Sequence, residues 1–297
     1  MNKLSAVLRL TRIEHSAMLV VAVFTAELVA GGLPQYQVLA ASLLAPALIS
    51  MGAFAINDYF DVESDRANRK MNRPLATGAL KRGDALAISV LCSAAGIAFS
   101  IIINQYVFML ALIFAALAFI YSYKLKDIIL VGNVYIAFSM VVPFIFGDLV
   151  VSNTIPMSII LISFVIFLSG LAREIHGMAR DRVGDIRARH TRNLVSRIGE
   201  RHSLEIAFVL YMEAIAIGVF LFFYQPSNYS NPFAYNATYL YIITIANLLL
   251  FYVAAGAVVR PGAAFFRKTR NISLGAMGIA LLAYLLSVVY PMLVLLP

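Results

Sequence analysis

The sequence predicts an all-α membrane protein with nine transmembrane helices, and three observations carry that prediction. Of its 297 residues, 62% are hydrophobic and only 13% charged, with a mean hydropathy of +0.87; a soluble domain is nearer a quarter charged. Apolar runs of about 20 residues recur along the whole length, and each suffices to cross a bilayer as a helix. The third observation is where the cations fall. With spans at 13–33, 36–56, 84–103, 105–123, 131–150, 156–173, 203–224, 238–258 and 272–295, every Lys and Arg lies in alternate connecting segments: 3 before the first span, 6 in 57–83, 2 in 124–126, 8 in 173–201 and 4 in 260–270. The connections around Gly32, Gln105, Ser152 and Asn228 hold none. Cytoplasmic connections carry such an excess, so the N-terminus is expected inside and the C-terminus outside. The net charge of +8 is thereby explained by topology, without a nucleic-acid partner. Residues 1–297 read as a single integral membrane domain.

Taken in order, Met1 to Arg12 is a short lead whose Lys3, Arg9 and Arg12 suit an anionic lipid surface. The apolar run after it lacks a small-residue cleavage site, so it reads as the first span and not as a signal peptide. That span contains Glu27, expected to snorkel or to be satisfied by an interhelical hydrogen bond; Glu213 in the seventh is expected to make an interhelical contact. The second span ends at Ile56 and leads into Asn57-Asp58-Tyr59-Phe60-Asp61-Val62-Glu63-Ser64-Asp65. Segment 57–83 is long for a bundle connection, and long connections are either functional or disordered. Tyr59, Phe60, Met71 and Leu75, threaded through its charges, argue against disorder.

The third and fourth spans meet in a tight outer turn at Asn104-Gln105, and the fourth ends in Tyr121-Ser122-Tyr123-Lys124-Leu125-Lys126-Asp127. The fifth opens with Gly132-Asn133, and Pro143 is expected to kink it. The sixth leads into Arg173-Glu174-Ile175-His176-Gly177-Met178-Ala179-Arg180-Asp181-Arg182-Val183-Gly184-Asp185. The outer segment from Gln225 to Asn236 reads as a cap. Cys92 stands alone in an apolar run, which removes disulfides and Cys-based zinc sites. Spans one to four and five to eight each place a long acidic segment after their second helix and a short basic turn after their fourth. This pattern predicts two pseudo-symmetric four-helix halves around a central cavity, with a ninth helix added.

The chemistry lies in the two acidic segments. Asp58, Asp61 and Asp65, spaced three and four apart, line one face of a helix. Their mutual repulsion, about 0.2–0.5 kcal/mol per pair, asks for a hard cation. Asp181 and Asp185 repeat the i, i+4 spacing after another long apolar run. A single such pair is normally solvated surface. Two on the same side, one of them extended by Asn57, favour Mg²⁺, which takes some of its oxygens from substrate phosphates. His176, His190 and His202 have spacings that fit no short zinc pair. Arg and Lys around the aspartates suit a highly charged anion, and 20 Phe with 15 Tyr and no Trp suit an apolar aromatic chamber beneath it. A polyprenyl diphosphate satisfies both halves. Loss of diphosphate from an allylic carbon leaves a carbocation that must be kept from water, and aromatic faces stabilise such a cation by about 0.5–2 kcal/mol per ring.

On these residues the chain resembles the UbiA superfamily of intramembrane prenyltransferases. The resemblance rests on Asn57-Asp58-x-x-Asp61-x-x-x-Asp65 with the following Arg73-Pro74, on Tyr121 to Lys126 with Gly132-Asn133, and on Asp181-x-x-x-Asp185, and it extends along the whole chain. It implies Mg²⁺-dependent transfer of a prenyl group from its diphosphate to a lipophilic acceptor, on the cytoplasmic side of a prokaryotic plasma membrane. Asn57, Asp58, Asp61, Asp65, Asp181 and Asp185 would hold two or more ions. Arg66, Arg73, Lys124 and Lys126 would hold the diphosphate, and Tyr121 and Tyr123 would face the allylic cation.

Within the superfamily the chain is similar to archaeal members that prenylate geranylgeranylglyceryl phosphate, with arginines from Arg180 to Arg192 available for an acceptor phosphate. Two departures touch the acceptor side: Gly177-Met178 stands where many members carry Lys-Asp, and Arg12-Ile13-Glu14-His15 where many have Arg-Pro-x-Asn. An aromatic acceptor, such as a quinone precursor, haem or a chlorophyll-type ring, is the alternative enzymatic reading. A divalent-cation transporter or channel is the reading from another class; it needs ionisable residues continuing through the midplane, but only Glu27 and Glu213 are available.

Overall fold

The fold was described from a computed structural model covering residues 2–67, 70–152, 154–189, 194–227 and 231–294, with side chains described for all of these except 181–189, Ala263 and 292–294. Eleven helices are described: α1 (Lys3–Leu10), α2 (Ile13–Ala30), α3 (Tyr36–Ala67), α4 (Arg82–Ile101), α5 (Gln105–Tyr123), α6 (Val131–Val151), α7 (Met157–Arg189), α8 (Leu194–Ile198), α9 (Glu200–Phe223), α10 (Ala237–Val259) and α11 (Ala263–Val294). A 3₁₀ turn, Leu125–Asp127, follows α5. Nine of the described helices are long and apolar enough to cross a membrane, matching the expected count.

Helix boundaries follow local chemistry. Asn2, Asn104 and Asn236 each accept, through Oδ1, a backbone N–H three residues on (Ser5 2.8 Å, Val107 2.9 Å, Tyr239 3.1 Å), which satisfies donors that an open helix end leaves unpaired. Asp84 does the reverse at α4, its Oδ2 accepting from the Lys81 N–H at 2.9 Å. Gly31 (φ 138°) and Gly78 (φ 76°) take backbone angles that suit only glycine.

Two helices outlast their expected spans. α3 continues past Ile56 to Ala67, so the first acidic motif is helical, as its spacing predicts, although segment 57–83 reads as a connection. The sixth span likewise continues past residue 173, to Arg189. In both, charged residues are as compatible with helix as apolar ones, so hydropathy marks where the lipid ends and not where the helix does.

The chain forms two compact units. One contains residues 1–27, 31–128 and 146–153; the other contains 28–30, 129–145 and 154–297. In the first unit, α3 and α4 approach closely through small residues. A Cβ on Gly96 would lie 2.6 Å from the Ala45 carbonyl oxygen and 2.7 Å from Ile49 Cγ1. Ala6 and Leu10 of α1, Ala55 and Val62 of α3, and Leu75 and Leu80 of the following loop share one buried cluster with Ala85. That cluster holds the loop after α3 against the acidic end of the helix.

The buried carboxylates divide. Glu27 accepts a hydrogen bond from Ser42 Oγ on α3, as expected, although its Oε2 is buried without a partner among the described residues. Glu213, by contrast, is exposed, on the face of α9 opposite the fully buried Tyr211. Asp148 of α6 was not anticipated. It is fully buried, and neither of its oxygens has a hydrogen-bond partner among the described residues.

In the second unit, Ala172, Ile175, Leu204, Tyr211, Leu250, Val253 and Phe266 belong to one cluster drawn from α7, α9, α10 and α11. Tyr239 donates its hydroxyl to the Gly218 carbonyl at 2.7 Å. Asn231 Nδ2 donates to the Leu221 and Tyr224 carbonyls at 3.0 and 2.6 Å, so part of the outer segment does cap α9. Pro143 lies inside α6, which is described as one helix.

Candidate active site

In the first unit the site is built on the last three turns of α3. Asp58 is 1% exposed, and its Oδ1 takes two guanidinium groups, Arg73 Nη1 at 2.8 Å and Arg12 Nη2 at 3.0 Å. Asp65, 3% exposed, lies 2.8 Å from Lys70 Nζ and 3.8 Å from Arg73 Nε. Asp61 faces Lys126 Nζ at 2.6 Å from the 3₁₀ turn, and its Oδ2 accepts from Asn57 Nδ2 at 3.1 Å. Three segments far apart in sequence therefore converge on one helical face. Among the described residues four cations meet three carboxylates there. Each pair is at charge-assisted hydrogen-bond distance except the longer Arg73–Asp65 contact.

Arg12 reaches Asp58 from a left-handed backbone (φ 46°, ψ 57°). A residue with a Cβ pays about 1–2 kcal/mol to hold that conformation. Strain of this kind persists where the surroundings over-determine it, and here they do: the guanidinium also lies 4.4 Å from the centre of the Phe54 ring, one turn before Asp58 on α3. Burial and the neighbouring Arg73 lower the pKa of Arg12, opposed by Asp58 and Asp65.

The donor set can be tested against a hard divalent ion. Among the described residues no three His, Cys, Asp or Glu groups converge on one point. The reason is geometric, because Asp58 and Asp65 stand about 10 Å apart along the helix axis at ~1.5 Å per residue. Asp58 Oδ2, however, is buried with no hydrogen-bond partner among the described residues, an open oxygen position of the type Mg²⁺ uses. The described carboxylates therefore form no closed cage, and an ion on Asp58 Oδ2 would take its remaining oxygens from elsewhere.

Of the expected diphosphate ligands, Arg73 and Lys126 lie in this cluster. Arg66 instead donates to the Leu75 carbonyl at 3.3 Å, and Lys124 is exposed. Tyr123 is 63% exposed, with ring centres 6.4 Å from Phe119 and 5.7 Å from Phe60; Tyr121 is half-buried. Arg12 and Lys70 were not expected. The cation just before the first apolar run was a sequence signal for Arg12, but its pairing with Asp58, 46 residues on, was not.

In the second unit, Asp181 and Asp185 fall on the last turns of α7, with side chains outside the described residues, as are those of Arg182, Arg187 and Arg189; Arg192 lies outside altogether. One to two turns before them, α7 borders a cavity of about 300 Å³ whose walls include Asn133, Arg173, His176, Gly177, Arg180 and Arg270.

Residues 18–264 match the family model for the UbiA prenyltransferase family. The digeranylgeranylglyceryl phosphate synthase of Archaeoglobus fulgidus is 33% identical over 241 residues, covering 81% of this chain and 80% of the relative. A solved structure concerning a digeranylgeranylglyceryl phosphate synthase in membranes superposes with a TM-score of 0.77 at 24% identity, over 98% of this chain and 100% of the other. A UbiA homologue from Archaeoglobus fulgidus, solved with GPP and Mg²⁺, gives a TM-score of 0.63 at 18% identity over 94% and 99%. These two likenesses establish a shared fold.

Proposed function

The chain belongs to the UbiA prenyltransferase family, and from that premise we propose that it moves a polyprenyl group from an allylic diphosphate to a lipid acceptor, with Mg²⁺ and with release of diphosphate. One observation carries the reading: three aspartates on a single helical face, two of them buried, are held against four cations at the end of a membrane span. A buried carboxylate ladder that only stabilised the fold would gain little from such an arrangement, because desolvating charges offsets most of their attraction.

When bound, Mg²⁺ would supply the positive charge that a departing diphosphate needs. Asn57, Asp58, Asp61 and Asp65 would hold the ions on this helical face, and Asp181 and Asp185 are assigned the same role at the end of α7. Arg73 and Lys126, joined by Arg12 and Lys70, present N–H donors to the phosphate oxygens once those displace them from the carboxylates. Tyr121 and Tyr123 remain the rings assigned to the allylic cation. The site is assigned to the cytoplasmic side, with the N-terminus inside and the C-terminus outside, from the distribution of Lys and Arg; a prokaryotic plasma membrane is assigned because the relative is archaeal.

For the acceptor we favour geranylgeranylglyceryl phosphate over an aromatic ring. The support is that the Archaeoglobus fulgidus relative carries the name of that synthase across 81% of this chain. Purified protein given a panel of prenyl diphosphates and acceptors, with and without Mg²⁺, tests the proposal. The expected result is Mg²⁺-dependent diphosphate release coupled to prenylation of the glyceryl phosphate. Metal flux across liposomes without diphosphate release would instead establish a channel.

A further inference from the structure

The cavity beside α7 has a composition that the prenyl diphosphate does not explain. Among the described residues its walls carry Arg173 and Arg270, with Arg180 at the rim, and one carboxylate, Glu174. Glu174 is already engaged by Asn133 Nδ2 at 3.4 Å and Arg173 Nη1 at 3.9 Å. Thr269 and Ser273 are engaged too, their hydroxyls donating to the Phe265 and Arg270 carbonyls of α11. Two groups on the wall are left over. Arg173 Nε and His176 Nε2 are both buried without a hydrogen-bond partner among the described residues, and His176 is only 8% exposed. Polar atoms buried in this way ordinarily have partners, so each such exception asks for one from outside.

Gly177 sharpens the point. It sits inside α7, one turn after Arg173 and one before Asp181, where glycine is a poorer helix former than alanine. No positive φ calls for it, and a Cβ built on it would meet nothing within 4 Å. Neither backbone nor packing therefore needs a glycine there. What the missing side chain does provide is room, because Gly177 borders the cavity.

We infer that this cavity seats the phosphate monoester of the acceptor lipid, with Arg173, Arg270 and His176 as its donors and Gly177 as the residue that keeps it open; the inference rests on the glyceryl phosphate acceptor proposed above. A phosphate monoester carries about 1.5 to 2 negative charges at neutral pH, which Arg173 and Arg270 would meet. Planar guanidinium groups grip its oxygens bidentately. The volume, about 300 Å³, is at the lower end for ligand pockets and suits a headgroup, leaving the prenyl tails to the membrane.

The test uses the full chain in lipid nanodiscs with three variants: Gly177→Leu, which fills the cavity while favouring the helix, Arg173→Gln and Arg270→Gln. The expected result is a rise of tenfold or more in KM for geranylgeranylglyceryl phosphate, with KM for the prenyl diphosphate within twofold of the parent. Glycerol phosphate titrated by calorimetry without donor should bind the parent and not Gly177→Leu. A rise in the donor KM instead would assign the cavity to diphosphate and overturn the inference. So would an unchanged acceptor KM in a variant that melts with the parent, or inorganic phosphate binding as tightly as glycerol phosphate. Should Gly177→Leu fail to fold, Arg270→Gln at its exposed position decides alone. If the parent prenylates no acceptor, the proposed function falls, while the glycerol phosphate titration still decides the cavity.

Discussion

Replacing Arg12 separates two contributions that the structure places on one residue. Its guanidinium donates to a carboxylate that is 1% exposed, at 3.0 Å, and a hydrogen bond to a charged group contributes about 1.5–3 kcal/mol. Its backbone, at φ 46°, costs about 1–2 kcal/mol for any residue with a Cβ. Arg12→Ala removes the first and keeps the second. Arg12→Gly removes both, so the glycine variant should be the more stable of the two, the reverse of the usual order near a helix start. The loss to alanine is bounded because Arg73 stays on Asp58 at 2.8 Å; a buried carboxylate left with no partner would cost about 3–5 kcal/mol.

At about 2–4 °C per kcal/mol for a large domain, Arg12→Ala should melt roughly 4–10 °C below the parent. Arg12→Gly should lie a few degrees above the alanine variant, less than the strain alone implies because glycine also loosens the unfolded chain. Thermal melts of detergent-purified protein, followed by tryptophan-independent far-UV signal because the chain has no Trp, measure this directly. Equal melting of the alanine and glycine variants would refute the strain argument. Parent-like melting of both would show that the ion pair contributes nothing.

Three further outcomes follow from the same geometry. Asp61→Asn should abolish diphosphate release yet melt near the parent, since Asp61 is partly exposed and an amide oxygen can still accept from Lys126; retained turnover would remove Asp61 from the site. Chelation by EDTA should stop turnover and added Mg²⁺, but not Na⁺, should restore it, whereas a metal-independent rate would end the role given to the aspartates. Gly96→Ala should destabilise by about 1–3 kcal/mol, the cost of overpacking, because the new Cβ would sit 2.6 Å from the Ala45 carbonyl oxygen; an unchanged melting temperature would mean that α3 and α4 can separate freely.

Much of this was legible in the chain itself, for identifiable reasons. Hydropathy and the placement of Lys and Arg both report on the bilayer, and they locate the spans independently of one another. The spacing of Asp58, Asp61 and Asp65 announced a shared helical face because the period of the helix is fixed. What escaped was whatever depends on pairing across sequence. Arg12, Lys70 and Lys126 carry no local mark that ties each to a particular aspartate. Asp148, a single acid near the end of an apolar run, leaves the run's mean hydropathy almost unchanged and so passes unnoticed. The room beside Gly177 exists only in three dimensions, although its sequence position was already visible as a departure from the family pattern.

The unbroken course of α3 has a mechanical consequence. Thirty-two residues make a rod about 48 Å long at ~1.5 Å per residue, against roughly 30 Å of hydrocarbon. The part that carries the carboxylates is the overhang, continuous in helix from Pro46 onward with the part gripped by lipid. Any tilt by which the rod adapts to a thinner or thicker membrane is therefore transmitted to the acids as a change of height and angle relative to the headgroups. Bilayer thickness becomes a setting on the enzyme, to be read by comparing turnover in short-chain and long-chain lipids.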